Sequence, residues 1–478
     1  MNVPSYELFG FAALAAIAIN LSKAPAWRRA VLLVANLAFL LSFTRNALQL
    51  APFAGLLLFG FVAVKLMERH KRKASFTALM VAQILLFCIL KRYEFLPASF
   101  FLPFAYLTVG MSYIFFKILH LVIDAFEGAL PERISPVSYV NYTLNFTSLV
   151  SGPIPFYRDY RRTESERPAP LDAHAVARAV ERIVLGFFKV AVISPLLYAV
   201  FQRSVALLPA MTAIEQRAGY ACAILVAFLI YVYVNFSGYM DFVIGVARFL
   251  RLELPENFNR PFVSGGFIEF WSRWHITLAN WIRTYVYSPL LLSLLRRSPS
   301  RRVEPWLGVF SYFVAFFVVG IWHGRTSTFI FLGVLLGLGV SLNKWYEIAM
   351  TQRLGRLGYR ALCTHPIHLA FARGLTFAWF AISALWFWAN WGELGRLAAL
   401  LTPFGIAVTV FALWFGAVVA LLAYTYVVER AGDAGTFTGS VVKSAYFRTA
   451  WSTALMVITV SVTVLLNAPA PHLVYKVF

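Results

Sequence analysis

Two histidines of this chain lie in apolar, tryptophan-rich surroundings. His275 stands in the segment WSRWHITLANW, and His323 ends an apolar run in GIWHG. A neutral imidazole can accept a proton from a hydroxyl group and return it later, because its pKa lies near the working pH. One histidine in an apolar run is more often a packing residue than a catalytic one. Two of them, in two separate tryptophan-flanked elements, favour a site for acid–base chemistry.

The segment Pro255–Pro289 surrounds the first of these histidines and mixes polar with aromatic side chains. Its charged and amide residues alternate with tryptophans: Glu256, Arg260, Glu269, Trp271, Arg273, Trp274, Asn280, Trp281 and Arg283. Ionisable groups at membrane depth are costly, so they usually mark a pathway or a site. The segment therefore predicts a polar site built inside a membrane protein.

The composition is that of a polytopic membrane protein. Of the 478 residues, 60% are hydrophobic and 13% are charged, whereas about a quarter of the residues of a soluble domain are charged. Apolar runs recur along the whole chain, so we expect an all-α fold with about 11–13 transmembrane helices plus re-entrant and amphipathic helices. The net charge of +21 indicates basic cytoplasmic loops and not nucleic-acid binding, for which the sequence has no module.

The first apolar stretch predicts the orientation of the chain. It has no basic region before it: Glu7 precedes it and Lys23 follows it. This order of charges indicates an uncleaved span whose N-terminus lies outside the cytoplasm. We expect one integral-membrane domain over residues 1–478, with N-terminal helices (1–100), a motif-bearing core (101–348) and C-terminal helices (349–478).

Several kinds of chemistry lack their sequence patterns here. The chain has no GxSxG nucleophile elbow, no HExxH zinc motif and no GxxxxGK[ST] phosphate loop. Its three cysteines, Cys88, Cys222 and Cys363, are far apart and form no CxxC pair, so no thiol metal site or disulfide framework is indicated. Direct transfer remains, in which a base activates an acceptor hydroxyl.

Other polar residues fall on a helix or interrupt one. Lys117, His120 and Asp124 recur at spacings of three and four, so they share one helix face; this face either packs against other helices or lines a substrate tunnel. The apolar run Val140–Val150 is too short to span a bilayer and ends in a Ser-Gly-Pro break, which indicates a re-entrant element. Ser237-Gly238 is expected to break a further helix.

Four motifs, in this order along the chain, resemble those of the membrane-bound O-acyltransferase family. LTVGMSYIFFKILHLVIDAFEG is similar to the glycine–serine–aromatic helix of the family, and LVSGPIPFYRDYRR to its GPI segment. The run from FSGYMDF through PENFNRPF to FWSRWHITLANW is similar to the family signature, and GIWHG to its tryptophan–histidine–glycine motif. Within the family, the bacterial branch of alginate O-acetylation and teichoic-acid D-alanyl transfer is the most similar in motif.

The resemblance implies a fold and a set of roles. The fold would be a ring of helices around a thin centre with a tunnel through the membrane. His323 would be the general base, and His275 would line the tunnel or orient donor and acceptor. Gly324 would leave room for a substrate. Supporting positions around the site or tunnel would be Lys117, His120, Asp241, Asn257, Arg273, Trp274 and Trp322.

The implied reaction moves an acyl group, most often acetyl, from a thioester to a hydroxyl of an extracytoplasmic polysaccharide or cell-envelope glycan. The donor would be acetyl-CoA or an acyl-carrier protein, used as a co-substrate, with no permanently bound cofactor or metal. The expected partners are membrane lipid, a cytoplasmic carrier of the acyl donor, and an extracytoplasmic acyltransferase or polysaccharide-export protein. The expected location is the bacterial inner membrane.

Alternatives to this function stay open. GMSYIFFK and SGPIPFYRDYRR favour D-alanyl transfer to teichoic-acid-like polymers from a carrier-protein thioester, whereas the tail segment LTFAWFAISALWFWANWGELGRLAALL favours acetylation. Arg325-Thr326-Ser327 departs from the alginate-type continuation of the motif. A transporter of lipid-linked glycan would also need a polar pathway, but the chain lacks the internal repeat that transporters commonly show. A non-catalytic scaffold would not need both histidines.

Overall fold

A computed structural model describes residues 5–166, 168–298, 300, 302–432 and 444–466, and they are predominantly α-helical. The helices, in chain order, are α1 (Tyr6–Asn20), α2 (Pro25–Leu41), α3 (Ala47–Arg69), α4 (Lys73–Lys91), α5 (Met111–Glu127), α6 (Pro136–Thr143), α7 (Tyr157–Arg161), α8 (Ala173–Phe188), α9 (Ser194–Leu207), α10 (Ile214–Phe249), α11 (Phe267–Trp271), α12 (Ile276–Ile282), α13 (Ser288–Arg297), α14 (Glu304–His323), α15 (Ser327–Thr364), α16 (Pro366–Ser383), α17 (Trp391–Gly432) and α18 (Ala445–Leu466). No β-strand occurs in the described ranges, which confirms the all-α class.

Nine helical stretches among the described residues are long and apolar enough to cross a membrane, which confirms a multi-pass membrane protein. Their number is lower than the 11–13 expected. α1, α2 and α5 have only 15, 17 and 17 residues, below the ~20 residues that usually span a bilayer. In addition, α8 and α9 belong to one continuous helical stretch, Ala173–Ala210, which counts once.

The chain divides into two compact units. The first unit takes the described residues up to Val190 together with Phe236–Glu256, and the second takes Ala191–Asn235 together with the described residues from Asn257 onwards. α10 is therefore shared between the units. The predicted partition into three consecutive parts of one domain stays a prediction.

In the first unit, the segment expected to be re-entrant is a short helix followed by buried, non-helical backbone. α6 begins after Ser135, whose side-chain oxygen accepts a hydrogen bond from the Ser138 amide, and it ends at Thr143, well before the Ser-Gly-Pro break. The following residues up to Ile154 are buried. Asn36 Oδ1 accepts from the Phe146 amide at 2.9 Å. Irregular backbone of this kind is tolerated where protein groups satisfy its polar atoms.

The expected helix break at Ser237-Gly238 is wrong, because α10 continues through both residues. Gly238 instead permits close packing within the first unit. A Cβ atom placed on it would lie 2.7 Å from Lys189 Cβ and 3.0 Å from the carbonyl oxygen of Gly186. Gly238 is therefore needed because α8 and the π-helical turn after it approach α10 closely. It does not change the direction of the chain.

In the second unit, α14 and α15 cross at glycines. A Cβ atom on Gly320 would lie 2.1 Å from Gly333 Cα, so only two glycines allow the backbones this close. The contact lies one turn before the end of α14. It therefore fixes how the last turn of α14, which carries His323, lies against α15.

Candidate active site

His323 lies in an aromatic enclosure in the second unit. It is the last residue of α14 and is 4% exposed. Its ring centroid lies 4.8 Å from that of Trp322 and 4.9 Å from that of Phe387, the latter at an interplanar angle of 70°. Phe387 ends the 3₁₀ turn that follows α16. An enclosure of this kind keeps bulk water away from the imidazole, which strengthens electrostatic interactions inside it.

Gly324 follows His323 because no larger residue fits there. Its backbone is extended (φ −157°), so conformational freedom is not the reason. A Cβ atom on Gly324 would lie 2.1 Å from two ring carbons of Phe329. Phe329 is itself buried and meets Phe387 edge-on, with centroids 6.1 Å apart. Phe329 therefore supports Phe387, whose ring packs on His323. The lack of a side chain at Gly324 leaves the space that Phe329 occupies.

His275 is buried beside the same tryptophan. It is 1% exposed, and its ring centroid lies 6.5 Å from that of Trp322. Trp322 thus touches both histidine rings, and this places the two predicted catalytic residues in one region of the second unit. His275 has φ 45° and ψ 50°, a left-handed backbone that costs about 1–2 kcal/mol for a non-glycine residue. Strain of this size in a buried residue is typical of functional sites.

Asn257 fixes the backbone at His275. Its side-chain Oδ1 accepts hydrogen bonds from the Thr277 amide at 3.0 Å and from the Thr277 hydroxyl at 2.8 Å. Its carbonyl oxygen accepts from the Ile276 amide at 3.0 Å. These amides are the first two of α12, which the side chain of His275 does not cap. Asn257 therefore caps α12 from outside the helix, at the residue that follows His275.

Replacing Asn257 with Ala is expected to loosen α12 and lower acyl transfer. Loss of a helix cap costs about 0.5–2 kcal/mol, and the Thr277 hydroxyl would also lose its buried acceptor. The thermal midpoint and the transfer rate of purified protein would both fall. Asn259→Ala is a matched control, because the Asn259 contact in this region is made by its backbone amide, which donates to the Arg273 carbonyl at 2.9 Å. Equal rates in the two variants would contradict a positioning role for Asn257.

Burial sets the charge of His275. Desolvation lowers the pKa of its imidazole from 6.5 to about 3, so the ring is neutral at neutral pH. The unfolded chain keeps the ordinary value and binds a proton below pH 6.5, which the folded chain does not. The free energy of unfolding should therefore fall as the pH is lowered.

Between pH 7 and pH 5, this single ring would remove about 2 kcal/mol of stability. The variant His275→Asn keeps a residue that tolerates left-handed backbone and removes the titrating group. Thermal unfolding of the purified protein at the two pH values would show a smaller decrease for the variant than for the wild type. Equal decreases would show that His275 is not a neutral, buried ring.

Trp274 and Arg273 immediately precede His275 and support the turn that carries it. Trp274 is 2% exposed and stacks on Phe270, with centroids 5.6 Å apart and an interplanar angle of 17°. Arg273 is half-buried and pairs with Glu269 through Nη2 and Oε1 at 2.8 Å. Both residues brace the turn that carries His275.

Lys117 and His120, predicted to line a tunnel, stabilise the irregular segment of the first unit. Lys117 Nζ donates to the carbonyl oxygens of Tyr142 (3.1 Å) and Thr143 (3.4 Å) and to Ser148 Oγ (2.8 Å). It thereby meets the carbonyls at the end of α6, where a cation is favourable. His120 Nε2 accepts from the Tyr157 amide at 3.2 Å. These contacts agree with the helix-packing alternative, and a tunnel role stays a prediction.

Asp241 belongs to a charge network in the first unit. Its carboxylate lies 3.0 Å from Arg182 Nε and 2.6 Å from Lys189 Nζ. Arg182 also pairs with Glu256. Asp241 is therefore an ion-pair partner on α10. Its predicted supporting place at the catalytic site stays a prediction.

The sequence pattern missed two residues of the enclosure. Phe387 and Phe329 contact His323 and Gly324 respectively, yet neither was singled out. Phe387 lies in the tail segment LWFWANW, far from the motif in sequence. No spacing rule connects a phenylalanine there with a histidine at the end of α14, so only the tertiary structure reveals the contact.

The class of this protein follows from comparison with known families. The model of the membrane-bound O-acyltransferase family matches residues 38–372. The chain therefore belongs to this family, and it is a membrane acyltransferase. This finding replaces the transporter alternative.

Two kinds of curated relative are similar to the chain. The teichoic acid D-alanyltransferase of Bacillus subtilis is 27% identical over 61% of this chain and 73% of its own length. The probable alginate O-acetylase of Azotobacter vinelandii is 27% identical over 64% of this chain and 59% of its own length. That of Pseudomonas fluorescens is 28% identical over 51% of this chain and 46% of its own length. The chain thus spans about half the length of the alginate relatives that it matches.

Proposed function

We propose that this chain transfers an acyl group, most often acetyl, from a thioester to a hydroxyl of an extracytoplasmic polysaccharide or cell-envelope glycan, with His323 as the general base. The observation that carries the proposal is the pair of buried histidines on Trp322 in a chain of an acyltransferase family. The relatives, named for alginate acetylation and teichoic acid D-alanylation, supply the substrate class.

The proposed reaction needs one base and no covalent enzyme intermediate. The acceptor hydroxyl oxygen bonds to the thioester carbonyl carbon while His323 takes the hydroxyl proton. The carbon–sulfur bond then breaks, and the leaving thiolate takes the proton back from the imidazolium. An ester and a free thiol result, so the histidine ends as it began. General base catalysis of this kind contributes about 10²–10⁴-fold, and alignment of the two substrates contributes further.

His275 would act as a neutral group in this scheme. A ring whose pKa is lowered to about 3 carries no charge at neutral pH and is a poor base there. It can still donate one hydrogen bond and accept another. We assign it the orientation of donor or acceptor beside Trp322, while His323 moves the proton.

The donor and setting are proposed on chemical grounds. The donor would be acetyl-CoA or an acyl-carrier protein. The net charge of +21 suits acidic carriers and the phosphates of coenzyme A equally, since both are anionic. The protein would lie in the bacterial inner membrane with its N-terminus outside the cytoplasm, together with an extracytoplasmic acyltransferase or a polysaccharide-export protein.

D-alanyl transfer is the second candidate, and one observation favours it. The Bacillus subtilis D-alanyltransferase is matched over 73% of its length, against 59% for the Azotobacter vinelandii relative. Mass spectrometry of surface glycans from cells with and without this protein distinguishes the two. A mass difference of one acetyl group per modified sugar supports the first candidate, and one alanyl group supports the second. Identical glycans in both strains would contradict both.

A further inference from the structure

The second unit contains an apolar cavity that the proposed reaction does not use. Its volume is about 530 Å³, within the ~300–1,000 Å³ of typical ligand sites. α10, α16, α17 and the turn Pro261–Val263 supply its walls. Among the described residues that line it, Arg260 is the one charged side chain. The cavity therefore suits a ligand that is apolar along its length and anionic at one end.

Small residues on α17 open the cavity. Ala412, Gly416 and Ala420 recur every four residues, so they lie on one face of the helix. On α10, the lining runs from Cys222 to Val234, a rise of about 18 Å. One leaflet of a ~30 Å hydrocarbon core is about 15 Å thick. The groove is therefore long enough for one extended acyl chain of a membrane lipid.

The charged side chain stands at one end of this groove. Phe262 contacts Tyr233, near the end of the α10 lining, with ring centroids 5.1 Å apart. Arg373 ties Val263 to α17, since its Nε donates to the Val263 carbonyl at 2.9 Å and its Nη1 to Thr425 Oγ1 at 3.2 Å. The turn Pro261–Val263, which follows Arg260, thus closes the end of the groove opposite Cys222. The guanidinium of Arg373 lies near this end.

Arg260 is held in an unfavourable conformation with its charge unused. Its φ is 46° and its ψ 60°, in the left-handed region that non-glycine residues avoid. The side chain is exposed, and no carboxylate of a described residue lies within ion-pair distance of it. Backbone strain that presents an unneutralised cation at the mouth of an apolar groove points to an anionic ligand.

We propose that the cavity is a binding site for one anionic glycerophospholipid of the surrounding membrane. One acyl chain lies in the groove between α10 and α17, and the phosphate contacts Arg260. A guanidinium offers paired donors that match phosphate oxygens. A lipid with a net negative headgroup is favoured over a zwitterionic one, because Arg373 adds a second positive charge at the same end.

An occupied cavity would also brace the region of His275. Two of its lining residues, Tyr233 and Phe262, contact Trp274, with ring centroids 5.9 and 6.1 Å apart. Trp274 immediately precedes His275 in the chain. The lipid therefore fills the space behind the aromatic side chains that hold the turn, and its loss leaves them packed against a void. Lipid retention itself does not depend on the proposed acyl transfer.

Native mass spectrometry of the full chain, purified and offered phosphatidylglycerol or phosphatidylcholine, tests the site. In the variant Gly416→Leu the new side chain begins in the open space of the cavity, because Gly416 lines it and a Cβ atom there meets nothing within 4 Å. Arg260→Asn removes the charge with a residue that tolerates left-handed backbone. The wild type should hold one phosphatidylglycerol in preference to phosphatidylcholine. Gly416→Leu should lose it, and Arg260→Asn should bind it about tenfold more weakly.

Two control variants match these changes. Gly395→Leu adds the same side chain on α17 at another open position outside the cavity, and Arg396→Gln removes an exposed charge of α17. Both should retain lipid like the wild type. Equal retention by Gly416→Leu and the wild type would overturn the proposal, as would equal binding of the two lipids. A polyprenyl-phosphate glycan copurifying in place of a glycerophospholipid would also overturn it.

Discussion

Replacing His323 with Ala or Gln should abolish ester formation on the surface glycan, with a loss of about 10²–10⁴-fold or more. Without the imidazole, neither Trp322 nor Phe387, which pack on it, can take the proton of the acceptor hydroxyl, and the neutral His275 is a poor base. Gln fills most of the same space but cannot act as a base near neutral pH. If both variants lose activity, the loss is due to the missing base and not to a cavity left by the smaller alanine side chain.

His368→Ala is the matched control for this experiment. His368 lies on α16, is partly exposed, and shares a hydrogen bond with Tyr346 at 3.0 Å between Oη and Nε2. The membrane level and thermal midpoint of each variant should be compared with those of the wild type. Unchanged glycan acylation in His323→Gln would exclude His323 as the base. A loss in His368→Ala as large as that in His323→Ala would show that any histidine replacement disturbs the fold.

Gly324→Ala should reduce acyl transfer by about 10²-fold, although it adds a single methyl group. The new Cβ atom would overlap the ring of Phe329, which cannot move freely because it is buried against Phe387. Phe387 in turn packs on His323. Misplacement of a catalytic group by about 1 Å is enough for a loss of this size. Overpacking would also cost about 1–3 kcal/mol of stability.

A second substitution should rescue the first. Phe329→Ala removes the ring carbons that the new methyl group would meet, Cγ included, so the double variant Gly324→Ala/Phe329→Ala is expected to recover part of the lost rate. Phe329→Ala alone removes the ring that supports Phe387 and should lower the rate less than Gly324→Ala does. Initial rates of the four proteins form a double-mutant cycle with a clear coupling between the two positions. Additive losses would show that Gly324 acts in some other way than by accommodating Phe329.

Sequence patterns predicted the class of the fold, and they selected two histidines that the structure brings to one tryptophan. Hydropathy reveals spans because bilayer thickness fixes their length, and the two tryptophan-flanked histidines proved to share Trp322. Patterns could not distinguish a helix break from a packing contact. Ser237-Gly238 was expected to end a helix, yet Gly238 lies inside α10 where another segment approaches closely. Glycine serves both purposes, and only the tertiary structure separates them.

The roles of the supporting residues were harder to predict than their positions. Asn257 was selected as a motif residue, but its use as a cap for α12 depends on a backbone pairing that no spacing rule reveals. Lys117 was expected either to pack against other helices or to line a tunnel, and its ammonium meets the carbonyls at the end of α6, which agrees with packing. A buried cation in a helix can serve either purpose. Its carbonyl partners lie 25 and 26 residues away in the sequence, so no local spacing rule reveals them.

The most direct test uses the purified protein in lipid vesicles with a labelled acetyl thioester and an acceptor oligosaccharide. The measured quantity is label in an ester on the sugar, as an initial rate. We expect the wild type to transfer the label, and His323→Gln to fall to the rate of protein-free vesicles. Transfer by His323→Gln at the wild-type rate, or label that stays on the donor in the presence of folded wild-type protein, would contradict acetyl transfer with His323 as the base.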